Sequence, residues 1–126
     1  MYITVNEIEY ELTTTLGVIR RIEEKFRRPM TEIFANLGNA YSKEFADLIT
    51  IAAKPKNPDF TASLFDDYDF SWLFLTVQEL VATLMFSGTP EEKEKKIAKF
   101  PVPEEQKNEF RALVGLPETK ISTGNE

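Results

Sequence analysis

Tyr2-Ile3-Thr4-Val5-Asn6-Glu7-Ile8-Glu9-Tyr10-Glu11-Leu12 reads as two short strands folded back about Asn6-Glu7. Strand side chains alternate between two faces, so a two-residue turn dictates which residues meet. Val5 opposes Ile8 and Ile3 opposes Tyr10 on an apolar face, while Thr4 meets Glu9 and Tyr2 meets Glu11 on a more polar one. A type I′ turn prefers Gly at its second central position, so Glu7 leaves a longer or distorted turn open.

Beyond the hairpin the period changes from strand to helix. Thr13-Thr14-Thr15 offers hydroxyl N-caps for a helix to about Phe26. Leu16, Ile19, Ile22 and Phe26 share its apolar arc, and Arg20, Arg21, Glu24 and Lys25 face away. Arg28-Pro29 interrupts it, and Pro29 suits the first position of a short helix in which Met30, Ile33, Phe34 and Leu37 recur before Gly38. Ser42 can cap a third helix with Phe45, Leu48, Ile49 and Ala52 inward, ending before Pro55. The run from Lys54 to Asp59 is the clearest loop, and Phe60 to Asp69 has room for one helical turn.

Asp69 or Ser71 caps the main helix, Phe70 to about Ser87, with Gly88 as its stop and Leu73, Val77, Leu80, Val81 and Leu84 as its central stripe. Its apolar run is slightly short for a membrane span and carries Gln78 and Glu79 at its middle, which reads as a core helix. Thr89-Pro90-Glu91-Glu92 joins a capping box to Pro at the first helical position and begins a charged helix to about Lys99. Pro101 and Pro103 force a break before a last helix, Glu104 to Val114, with Phe110 and Leu113 inward and Gly115 after it. The expected fold is α+β and mainly α: an N-terminal β-hairpin and about five or six helices in one compact domain over 1–115. Residues 116–126 lack periodicity and read as a flexible C-terminal tail.

The 126 residues suit one domain with one core, and 42% hydrophobic content with ten Phe makes a disulfide or structural metal unnecessary for folding. Cysteine and histidine are both absent. That removes thiolate chemistry, iron-sulfur clusters, Ser-His-Asp and Cys-His catalysis, and Cys- or His-bound zinc. No Gly-rich phosphate loop, nucleophile elbow or paired-carboxylate motif accompanies the remaining Lys, Tyr and carboxylates, so the reading is a non-enzymatic protein without cofactors. A formal charge of −6 opposes polyanions, and the N-terminus shows no secretory signal.

Four local features invite a functional reading. Asp66, Asp67 and Asp69 form an acidic cluster without the EF-hand spacing, and favourable charge at a helix N-terminus explains it better than a metal. Arg20, Arg21, Lys25, Arg27 and Arg28 cluster as for phosphate or an acidic partner, yet a solvated face with Glu24 paired to Arg20 or Arg28 accounts for them. Lys93, Lys95, Lys96 and Lys99 read as a solubilising face. Aromatic mass gathers at Phe60, Phe65, Tyr68, Phe70, Trp72 and Phe74; most belongs to the core, and Phe65, Tyr68, Phe70 and Trp72 are the candidate partner-binding residues because helical rotation points these rings in several directions. The hairpin edge is a further possible grip.

Glu9-Tyr10-Glu11-Leu12, then Thr14-Thr15-Leu16-Gly17-Val18-Ile19-Arg20-Arg21-Ile22-Glu23-Glu24-Lys25-Phe26 and Pro29-Met30-Thr31-Glu32-Ile33-Phe34, resembles the start of phage tail assembly chaperones of tailed phages and prophages. In that family a hairpin ending in a Tyr-x-Leu-like strand leads into a helix with Leu and Ile-Glu at similar places, then a shorter helix. The likeness spans roughly the first third to half of the chain. It implies a factor in the cytoplasm of the bacterial host, not expected in the mature virion, that binds the tape-measure protein until tail-tube protein polymerises around it. The resemblance also allows a longer frameshifted form of the chain as a partner; a homo-oligomer is left open, and the negative net charge and the short, interrupted apolar run argue against nucleic acid and membrane as partners. The alternatives are a structural neck, connector or tail-completion protein and, less favoured, a DNA-binding regulator using Arg20 to Arg28.

Overall fold

A computed structural model describes residues 1–118. It has an N-terminal antiparallel hairpin, β1 (Tyr2–Val5) and β2 (Ile8–Glu11), followed among the described residues by six α-helices. These are α1 (Leu16–Phe26), α2 (Met30–Ala35), α3 (Ser42–Ala53), α4 (Phe70–Met85), α5 (Pro90–Ala98) and α6 (Glu104–Leu113), with short 3-10 turns at Leu37–Asn39 and Ala62–Phe65. The expected mainly α, α+β architecture is therefore the observed one. Residues 119–126 of the expected tail lie outside the described residues.

The strand register is the predicted one: Val5 pairs with Ile8, Thr4 with Glu9, Ile3 with Tyr10 and Tyr2 with Glu11. Asn6 and Glu7 both have positive φ, 52° and 68°, as a two-residue I′ turn requires. Asn tolerates that region, and the turn is also clasped from outside. Asn6 Nδ2 donates to the Leu64 carbonyl at 2.8 Å, and the Asn6 amide donates to Tyr68 Oη at 2.9 Å. At the open end, Leu12 N–H bonds the Met1 carbonyl and Thr13 N–H bonds the Ala52 carbonyl. Asn57 Nδ2 bridges the Glu11 and Ala53 carbonyls, covering the outer edge of β2 at that point.

The buried apolar residues form a cluster that runs from Ile3, Val5 and Leu12 through α1 to α4 and on to Ile97 and Phe110. Phe45, Leu48, Ile49 and Ala52 of α3 face it, as do Val77, Leu80, Val81 and Leu84 of α4. One inward assignment on α1 is corrected. Leu16 is 66% exposed, and the buried residues of that helix are Val18 and Ile22, with Ile19 and Phe26 half-buried. Leu16 is the first helical residue, and the stripe that reaches the core begins half a turn later.

Helix termini follow local chemistry. Asp69, rather than Ser71, caps α4 by accepting the Trp72 amide at 2.8 Å. Pro29 is the N-cap of α2 rather than its first residue, and Tyr41 occupies that place ahead of Ser42 in α3. Thr89 and Glu92 form the expected capping box at α5, and the Thr89 bonds hold the Glu92 carboxyl below its ordinary range, with Lys96 adding to the effect. Gly88 ahead of that box has φ +115°, and a Cβ there would lie 2.9 Å from Glu92 Oε2.

Arg111 ties α5 to α6. It is 2% exposed, its Nε and Nη2 fork grips both oxygens of Glu94 at 2.9–3.1 Å, and Nη1 reaches Glu104 at 2.7 Å and Asn108 at 2.9 Å. Two carboxylates and an amide oxygen satisfy one buried guanidinium, which makes its burial tolerable, and Glu94 foremost, with Glu104, holds its pKa above the usual arginine value against the opposing effect of burial. Beside it, Phe110 makes edge contacts with Phe34 and Phe100 and a tilted contact with Phe86.

Candidate partner-binding groove

After the Pro-containing loop the chain turns back beneath the hairpin, and its aromatic residues sort by backbone rotation. Phe60 is buried with its ring edge-on to Tyr10 at 5.1 Å and tilted against Phe65 at 6.0 Å. Phe65 is 6% exposed and meets Trp72 at 5.5 Å; Trp72 in turn lies 4.5 Å from Tyr68. Trp72 and Phe70 are two residues apart on α4, roughly 200° of helical rotation, so they cannot share a face. Trp72 turns toward Phe65 and Tyr68 and is half-buried, whereas Phe70 stands 58% exposed on the side of α3, against Phe45 at 5.9 Å and Phe74 at 6.0 Å.

Between α3, the Ala62–Phe65 turn and the start of α4 lies an open groove of about 490 Å³. Phe65, Tyr68 and Phe70 wall it on one side, Ala46 and Ala62 are small, and Leu73 contributes apolar surface. The two alanines leave the space that larger side chains would fill. Ser42 and Lys43 form the α3 lip, and Asp66 and Asp69 form the opposite one. Tyr41, at 79% the most exposed of the large apolar residues among the described residues, directly precedes the α3 lip in sequence.

Three of the four residues singled out from sequence, Phe65, Tyr68 and Phe70, thus line one groove. Their roles differ: Phe65 is a core residue showing an edge, Tyr68 also holds the hairpin turn, and Phe70 offers most of its ring to solvent. Trp72 stands behind the wall and supports Tyr68. The contribution of α3, through Lys43 and Ala46, had no local signal in the sequence.

The other candidates have structural partners or open surroundings. Asp69 serves as the α4 cap, and among the described residues no three carboxylates gather as a metal ion would require. In the basic cluster, Arg28 bonds Glu44 of α3 at 2.7 Å rather than Glu24, while Arg20, Arg21, Lys25 and Arg27 are exposed. Lys96 Nζ donates to the Ser87 carbonyl, closing the α4–α5 corner. Another hollow, about 560 Å³, lies between Pro90, Glu91, Glu94 and Lys95 on α5 and the last described residues, Leu116 to Glu118. No single helix among the described residues is long and apolar enough to cross a membrane; α4 and α5 meet that length and composition only as a pair bent by 69°.

Comparison with protein-family models, with curated proteins and with solved structures found no match for this chain.

Proposed function

We propose that this chain is a tail assembly chaperone of a tailed phage or prophage, and that it holds a helical segment of the tape-measure protein in the groove between α3 and α4. The observation that carries the reading is Phe70, a large ring more than half exposed beside an open groove with aromatic and apolar walls. Exposed aromatic anchors next to a hollow are what helix-in-groove recognition uses. The hairpin-to-helix resemblance supplies the identity of the partner. A long helical tape-measure chain exposes apolar stripes before the tail tube encloses it, and a small binder that covers them limits aggregation.

The activity proposed is binding without bond chemistry, performed in the host cytoplasm before the virion is complete. Co-expression with fragments of a phage tape-measure protein tests it: the expected result is a soluble complex that survives affinity purification. Retention of no tail protein by either the short chain or a frameshifted longer form overturns the reading. Mass spectrometry of purified particles separates it from a neck or connector role, since a stoichiometric copy in the virion contradicts a chaperone.

A further inference from the structure

The two lips of the groove carry opposite charge. Lys43 stands on the α3 side, and Asp66 and Asp69 stand on the side of the Ala62–Phe65 turn and α4. Neither Lys43 nor Asp66 enters an ion pair with another described residue, and both are exposed where they line the groove. Asp69 spends one oxygen on the Trp72 amide and keeps its negative charge at the lip. The walls are helical and present side chains rather than an unpaired strand edge, which suits a helix laid lengthwise over the aromatic wall.

We infer that the groove selects an amphipathic helix whose apolar stripe is flanked by basic side chains on one side and acidic side chains on the other. This rests on the groove being the partner site, and it adds the chemistry of the partner. The basic flank lies along Asp66 and Asp69, and the acidic flank lies along Lys43. Apolar anchors entering beside Phe65, Phe70 and Leu73 supply affinity, and the lips reject helices with like charge on the wrong flank. Rim pairs are solvated, so each contributes modestly, and reversing one turns attraction into repulsion; the combined change is on the order of tenfold in Kd at low salt, shrinking as salt rises.

Three synthetic helical peptides with the same leucine stripe test this, one flanked by Lys on both sides, one by Glu on both sides, and one by Lys on one side and Glu on the other. The wild-type chain is expected to bind the mixed peptide best, by fluorescence anisotropy. Lys43→Glu, which makes both lips acidic, moves the preference to the Lys-flanked peptide, and Asp66→Lys moves it toward the Glu-flanked one. Both sites are exposed, and thermal melts matching wild type establish that the variants fold. Equal binding of all three peptides, no binding of any, or a ranking unmoved by either reversal overturns the inference. Tape-measure capture with an unmoved ranking sinks the charge rule and leaves the chaperone reading standing. The predicted ranking without tape-measure capture supports the charge rule and removes the assigned partner.

Discussion

Replacing Phe65 and Phe70 separately by Ala distinguishes a residue that builds the groove from one that grips. Phe65 is 6% exposed between Phe60 and Trp72, so truncation loses buried transfer energy and leaves a cavity. Core Phe→Ala changes cost about 3–5 kcal/mol, and the open groove beside Phe65 places it near the lower end. About 3 kcal/mol in a chain of this size lowers Tm by on the order of 10 °C. Phe70 is less than half buried, against Phe45 and Phe74, so its removal costs roughly 1 kcal/mol of stability and a few degrees. In binding the order reverses. An aromatic anchor at a groove contributes about 2 kcal/mol or more, so Phe70→Ala weakens peptide or tape-measure binding by about 30-fold. Calorimetric melts give the first quantity and titration gives the second, with binding measured well below either Tm. A Phe70→Ala protein that melts as early as Phe65→Ala, or that binds within twofold of wild type, refutes the division of roles.

Three further outcomes follow from the packing. Arg111→Ala removes the donor shared by Glu94, Glu104 and Asn108; the two carboxylates are 42% and 35% exposed and rehydrate, so the loss is about 3 kcal/mol in urea unfolding, with Arg111→Lys recovering only part of it. A loss under roughly 0.5 kcal/mol contradicts the clamp, being the size of an ordinary surface change. Arg27 ends α1 with φ 54°, a left-handed conformation costly to a side chain, so Arg27→Gly raises stability by roughly 0.5–1 kcal/mol; a lower Tm rejects this account. The Glu92 carboxyl is held below its ordinary range when folded, so its contribution is complete above the unfolded glutamate pKa and is lost as pH falls through the lower folded value. The Tm gap between wild type and Glu92→Gln therefore closes in acid, and a gap constant with pH refutes the capping-box assignment.

The hairpin register was readable because alternation and a two-residue turn leave one pairing that separates apolar from polar faces. Its turn was harder to read, because Glu7 is accepted where the clasp from Asn6 to Leu64 and Tyr68 holds the backbone, and those partners are some sixty residues away. Helix extents followed from Asp69, Thr89, Gly88 and the prolines, whose effects are local. The exposure of Leu16 depended on where α1 meets its neighbours, which periodicity does not specify. Arg111 has no local signal in the sequence, because its burial depends on Glu94, a residue of α5 seventeen positions away, closing around it together with Glu104 of α6. The aromatic run announced itself, but the groove did not. Which ring stays exposed is decided by the rotation from Phe70 to Trp72, and the hollow needs Ser42, Lys43 and Ala46 of α3 brought by tertiary packing to the residues between Ala62 and Leu73.

Light scattering of a tape-measure fragment diluted from denaturant, with and without an equimolar amount of this chain, tests the central proposal most directly. Wild-type chain is expected to suppress the scattering, and Phe70→Glu, which puts a charge at the groove, is expected to lose most of that effect while keeping its fold. Equal scattering with and without the chain, or equal suppression by wild type and Phe70→Glu, contradicts it.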